Sequence, residues 1–122
     1  MTDLGYFEDD RGLIEDLIAA PLDSVTRIYT RKGAVRGNHT HNETTQWTYI
    51  IHGTLQVVTR AAGGEPFTEE CGPGDLLCEE PGIAHAWKAL EDTVVLVFTR
   101  GPRSGANYES DTQRLAPEDR LL

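Results

Sequence analysis

The sequence predicts an all-β protein, a small sandwich or barrel of short strands. Short β-prone runs recur from Ser24 to Arg100, each bounded by Gly, Pro, Asp or Asn. One of them, Thr93–Arg100, is almost wholly β-branched or apolar, as a buried strand requires. Helix-like spacing of apolar residues is confined to one stretch near the amino terminus.

Taken in order, Asp10 to Ala20 sets Leu13, Ile14, Leu17 and Ile18 on one face of a single short helix or turn stopped by Pro21. An extended lead-in along a sheet edge accommodates the same residues, and either way the segment is a structural arm. Ser24–Arg31 is the first run and Ala34–His41 the second, entered through Gly33. Gln46–Ile51 and Thr54–Ala61 flank His52-Gly53 and read as a hairpin, with His52 a solvated corner residue. Gly63-Gly64 separates these from Pro66–Cys71, and Gly72-Pro73-Gly74-Asp75 precedes the short run Leu76–Glu79. His85–Leu90 follows Pro81-Gly82, and Glu91-Asp92 turns the chain into Thr93–Arg100. From Gly101 to Leu122 periodicity fades; Tyr108 and Leu115 are the anchors if this tail packs over the barrel.

At 122 residues the chain is long enough for one domain, 1–122, with a barrel core at about 24–100 and no need of disulfide staples. A formal net charge of −9 argues against nucleic acid and against an anionic membrane surface. No apolar run reaches the ~18 residues of a membrane span, and no basic-then-apolar leader opens the sequence, so a cytoplasmic protein is expected. Cys71 and Cys78 match no zinc-knuckle spacing and are expected as free thiols.

Three of the four histidines fall between Arg36 and Gly53. His39 and His41 are two residues apart, so in a strand both imidazoles point one way. Gln46 follows after enough residues to turn the chain and bring an amide oxygen back, and His85 lies further on in Pro-Gly-Ile-Ala-His. Three imidazoles and an oxygen would make a metal site with room for a substrate. Spacing alone leaves that reading and two half-buried packing residues both open. Trp87 shares a strand face with His85, as a cavity wall or as core. Arg27, Arg31, Lys32 and Arg36 gather nearby, as an anion-holding rim or a solvated strand edge.

These residues resemble the two signature segments of the cupins, small double-stranded β-helix (jelly-roll) barrels. In the first segment Gly33, His39, His41 and Gly53 fall in register, with Gln46 where the family has glutamate. In the second Gly74, Gly82 and His85 fit, while Glu80 replaces a proline and Ala89 an asparagine. The resemblance implies a cupin barrel with a short N-terminal arm and an irregular C-terminal tail. It also implies a divalent metal (Zn, Fe, Mn or Ni) at His39, His41, Gln46 and His85, and a homodimer. An amide in place of a carboxylate would leave more of the cation's charge unneutralised, favouring Lewis-acid work on a carboxylate or enolate oxygen.

Arg36-Gly37-Asn38-His39-Thr40-His41 with Gln46 is similar, more narrowly, to RmlC-like cupins that isomerise dTDP-4-keto-6-deoxyhexoses to their 3-keto partners, the sugar-nucleotide 3,4-ketoisomerases. Tyr108-Glu109-Ser110-Asp111 and Arg114 are similar to the tail of those enzymes. The likeness implies acid–base work by two histidines without an obligatory metal: His41 as base, His39 as partner, Arg36 as a binding or orienting group. His85, a metal-cupin ligand, keeps the metal site in view. The expected function is thus a metal-binding isomerase, epimerase or lyase acting by proton transfer on a small, sugar-derived carbonyl substrate. A metal-dependent (iron) dioxygenase and a non-catalytic ligand-binding or sensor cupin are the alternatives.

Overall fold

The computed structural model describes residues 5–102 and 109–122. In chain order the strands are β1 (Tyr6–Asp9), β2 (Gly12–Glu15), β3 (Ser24–Thr30), β4 (Val35–His41), β5 (Thr45–His52), β6 (Leu55–Arg60), β7 (Phe67–Cys71), β8 (Leu76–Glu79), β9 (Ala84–Ala89), β10 (Thr93–Arg100) and β11 (Thr112–Arg114). A 3-10 turn follows at Pro117–Asp119. Two antiparallel sheets, β3-β10-β5-β8 and β11-β4-β9-β6-β7, face each other across one core. Alternation makes this possible. Ile50, Val95 and Val97 point inward from the first sheet, and Leu55, Val57, Trp87 and Ala89 from the second. The all-β jelly-roll barrel expected of the sequence is therefore the observed fold.

The amino-terminal segment forms no helix, and this corrects the periodicity reading. Residues 6–15 make a separate hairpin of β1 and β2. Its turn chemistry outranks the apolar spacing: the Asp9 carboxylate accepts from the Arg11 backbone N–H at 2.9 Å and from the Arg11 guanidinium, and Gly12 supplies a φ of +135°. Leu17 and Ile18 lie beyond the hairpin, half-buried in a groove with Trp47, Cys78 and Ile83 on the outer side of the first sheet. Among the described residues no helix is long and apolar enough to cross a membrane.

Between β4 and β9 the register slips by one residue. Arg36 pairs with Trp87 and His39 with His85, so three steps along β4 match two along β9. The extra residue is absorbed by Gly37 (φ +96°) and Asn38 (φ +59°), both left-handed. A Cβ at Gly37 would lie 2.8 Å from the His85 carbonyl oxygen. Without the bulge, strict alternation would send Arg36 and His39 to opposite faces. With it, both address the cavity that His85 and Trp87 line.

The tail is tied to the same bulge. β11 pairs with β4, setting Thr112 opposite His41 and Arg114 opposite His39. The buried Asn38 side chain accepts from the backbone N–H groups of Leu121 and Leu122 at 2.8 and 3.2 Å and donates to the Leu122 carbonyl at 3.1 Å. Leu115 is half-buried as an anchor should be; Tyr108 lies outside the described residues. His52 is an exposed strand-end residue before the Gly53 turn, and Cys71 and Cys78 are free thiols.

Candidate active site

His39, His41 and His85 come together inside the barrel. Their ring centroids are 4.7 Å (His39–His41), 4.7 Å (His39–His85) and 5.6 Å (His41–His85) apart. His39 Nε2 and His85 Nε2 are 3.1 Å apart, which requires one proton or one cation between two lone pairs. The His85 Nδ1 faces the Ile83 carbonyl at 3.4 Å, and a carbonyl can only accept. That tautomer leaves His85 Nε2 as the acceptor and His39 Nε2–H as the donor. Burial pushes the His85 pKa below the ordinary imidazole value, opposed by the Ile83 carbonyl.

His41 is buried and leans on the tail. Its Nδ1 lies 3.5 Å from Asp111 Oδ2 and 3.4 Å from Thr112 Oγ1. Asp111 is itself fixed, accepting from Thr44 Oγ1 at 2.5 Å and from the Glu43 backbone N–H at 2.7 Å. A carboxylate facing Nδ1–H steadies the ring and leaves Nε2 as the basic nitrogen.

The cavity beside these rings measures about 290 Å3, and its lining includes His39, His85, Gln46, Trp87, Arg36 and Arg114. Arg36 arrives through the β4 bulge. Its Nε donates to Thr30 Oγ1 at 2.9 Å and its Nη2 to the Tyr29 carbonyl at 3.1 Å, which fixes the guanidinium at the rim. Of the four cations clustered in the sequence around the first motif, Arg36 is the one on this lining. Trp87 is both things foreseen for it: 3% exposed, part of the core, and a cavity wall. Trp47 faces the outer groove instead.

Gln46 stands on β5 directly opposite Glu79 on β8, and its Nε2 donates to Glu79 Oε2 at 3.1 Å. Glu79 is 3% exposed. Burial pushes its carboxyl up to about 7, against the lowering influence of the Gln46 amide and the Thr48 hydroxyl. Neither Glu79 nor Asp111 was given a role by the sequence reading. The available signal for Glu79 was alternation: Leu77 and Glu79 share the inward face of β8, in register with Thr48 and Gln46. For Asp111 there was none beyond its place in the tail.

The three histidines also fit a metal. Their ligand nitrogens all lie within 4.8 Å of one another. Metal–nitrogen bonds of about 2.0–2.1 Å put nitrogens on a shared ion roughly 3.0–3.4 Å apart, which matches the His39–His85 pair. With an amide rather than a carboxylate beside them, the donor set is neutral.

A family model described as cupin matches residues 22–113. An oxalate decarboxylase from Arthroderma benhamiae is 28% identical over 98 residues, 79% of this chain but 23% of that protein, so the chain spans under a quarter of its relative's length. Among solved structures, dTDP-4-dehydrorhamnose 3,5-epimerase from Sulfolobus tokodaii superposes with a TM-score of 0.73 at 20% identity, over 96% of this chain and 76% of that one. A sugar 3,4-ketoisomerase from Thermoanaerobacterium thermosaccharolyticum, in complex with TDP, superposes with a TM-score of 0.74 at 18% identity, over 96% and 88%. At these identities the structural likeness is one of fold. With the family model covering most of its length, the chain belongs to the cupin family.

Proposed function

We propose that the protein is an isomerase or epimerase that moves a proton beside the carbonyl of a small, sugar-derived substrate. His41 is the base, His39 its proton-carrying partner, and Arg36 the group that binds or polarises a substrate oxygen. One observation carries this reading: His39, His85, Gln46 and a pre-fixed Arg36 line one cavity, with His41 packed against the first two rings. Abstraction of a proton next to a ketone, with its return one atom away, needs groups that both accept and donate near neutrality, as imidazoles do. Arg36, already bonded to Thr30 and Tyr29, needs little reorganisation to meet an enolate oxygen. A cavity of about 290 Å3 is at the low end for ligand sites and suits a sugar-sized group. The fold likeness to a 3,4-ketoisomerase holding TDP supports the choice of sugar-nucleotide substrates for testing.

A divalent metal at His39, His41, Gln46 and His85 belongs to the same proposal, supported by the nitrogen spacing. When bound, it would supply Lewis-acid stabilisation to a substrate oxygen. A homodimer is the assembly we assign, with the exposed Tyr6, Phe7, Leu13 and Ile14 of the amino-terminal hairpin as the apolar surface it covers. Sedimentation at micromolar concentration checks it, and a monomer would remove that assignment.

The test is solvent deuterium incorporation into a dTDP-4-keto-6-deoxyhexose, read by mass spectrometry. Wild type should label the sugar carbon beside the ketone, and H41A should be slower by about 10²–10⁴-fold. Oxygen uptake with a diketone or phenol, without labelling, would instead support the oxygenase. Saturable binding without turnover would support a sensor.

A further inference from the structure

Glu79 is a costly residue for its position. It occupies an inward place on β8, where the preceding inward residue, Leu77, packs against the core. An apolar side chain there would avoid the desolvation of a carboxylate. No hydrogen bond reaches its Oε1 among the described residues. Its Oε2 accepts from Gln46, its cross-strand partner on the cavity lining, and the Thr48 hydroxyl also bonds its carboxyl.

An amide side chain has two chemically opposite ends of nearly equal shape, and a cavity receives either a carbonyl acceptor or an NH2 donor depending on a rotation about one bond. An ionised carboxylate, unlike the protonated acid, only accepts, so in that form it selects the NH2 end. Here Nε2 has two acceptors away from the imidazoles, Glu79 Oε2 at 3.1 Å and Thr48 Oγ1 at 3.4 Å. Both N–H bonds are thereby used inside the barrel wall, and the carbonyl oxygen is left for the cavity.

We propose that Glu79 is a positioning residue that holds Gln46 by its NH2 end, so that the group presented beside His39 and His85 is an oxygen acceptor. The cavity accordingly gains an acceptor for a hydroxyl or a cation, with the carboxylate set back behind the amide. Glu79 keeps this role whatever reaction the cavity hosts.

The experiment is side-chain amide NMR on the full 15N-labelled chain at pH 8.5, where unprotected NH2 protons exchange too fast to be seen. Wild type should show a protected pair assigned to Gln46 by its loss in Q46L. E79L should speed its exchange by at least about tenfold. The double substitution Q46E/E79Q exchanges the two groups and should restore a protected pair, now borne at position 79. A Gln46 pair as protected in E79L as in wild type would overturn the assignment. So would the absence of a protected pair in the double variant, which also decides the matter should E79L not fold. A role in packing alone would move thermal stability without this signature. If wild type labels keto-sugars, E79L should lower kcat more than it raises KM. If it does not, the isomerase reading fails while the amide signature still decides Glu79.

Discussion

His41, the proposed base, illustrates how an imidazole in this site depends on groups far from it in the chain. Asp111, 70 positions later, faces its Nδ1 and is in turn held by Thr44 and the Glu43 backbone. D111N should preserve the fold yet slow deuterium labelling by at least about tenfold, because an amide offers no full charge to the imidazolium; labelling at the wild-type rate would deny Asp111 that role. Glu79 yields a second expectation, with a definite sign. Its folded pKa of about 7 lies above the ordinary glutamate value of 4.5, so the folded state holds the proton more tightly. Its contribution to stability is therefore fully present below about 4.5 and is lost as pH rises through about 7. His85, depressed by burial, acts in the opposite sense, losing stability as pH falls below the ordinary imidazole value of 6.5. E79Q removes the first slope and leaves the second. Urea midpoints at pH 4.5 and 8 should show E79Q gaining on wild type at the higher pH, by on the order of 3 kcal/mol at most. Equal differences at both pH values would contradict it. At this scale the sequence was legible where spacing and family likeness coincide, at His39, His41, Gln46, His85 and Arg36. It was silent where a partner is remote: Glu79 belongs to no spaced motif, and the tail likeness that includes Asp111 gave it no role.

Among the elements, the β4 bulge does the most to shape the site. Gly37 and Asn38 absorb one residue, and so bring Arg36 and His39 to one face. Alternation alone would separate them, so the sequence suggested that Arg36 belongs to the site but not how it gets there. Asn38 adds a second function, binding the end of the tail by its side chain. G37A should cost about 2–3 kcal/mol in urea unfolding, from a φ of +96° and a 2.8 Å approach to the His85 carbonyl. It should also weaken ligand binding, since any relief shifts β4 against β9. A neutral G37A would mean that the bulge is easily remade. N38G keeps the backbone freedom but loses the tail's hydrogen bonds, and should cost less than N38A by about 1 kcal/mol. The amino-terminal segment shows the opposite failure of legibility. Leu13, Ile14, Leu17 and Ile18 are spaced as on a helix, yet Asp9 and Gly12 close a tight hairpin first. Local turn chemistry decided the matter, and apolar spacing over so few residues had little to set against it.

Over the whole molecule, the Gly- and Pro-bounded strands, the inward alternation and the histidine spacing all point to one barrel, which is why the fold was readable. The charge was less informative than it looked. A net charge of −9 coexists with two arginines, Arg36 and Arg114, on the cavity lining. If the imidazoles hold a metal, Zn2+ at one hundred times its Kd should stabilise the protein by about 2.7 kcal/mol, chelator should reverse the gain, and H85A should abolish it. An unchanged melting temperature would leave the histidines to act without a metal. The most direct test of the account is the ring geometry itself, read from 15N–1H spectra and ring-proton NOEs of the histidines in metal-free protein. The account predicts an NOE between the His39 and His85 rings, a protonated Nδ1 on His85 near neutral pH, and a His85 titration displaced below the ordinary imidazole value. Titration of His85 at that ordinary value, with no NOE between the two rings, would contradict it.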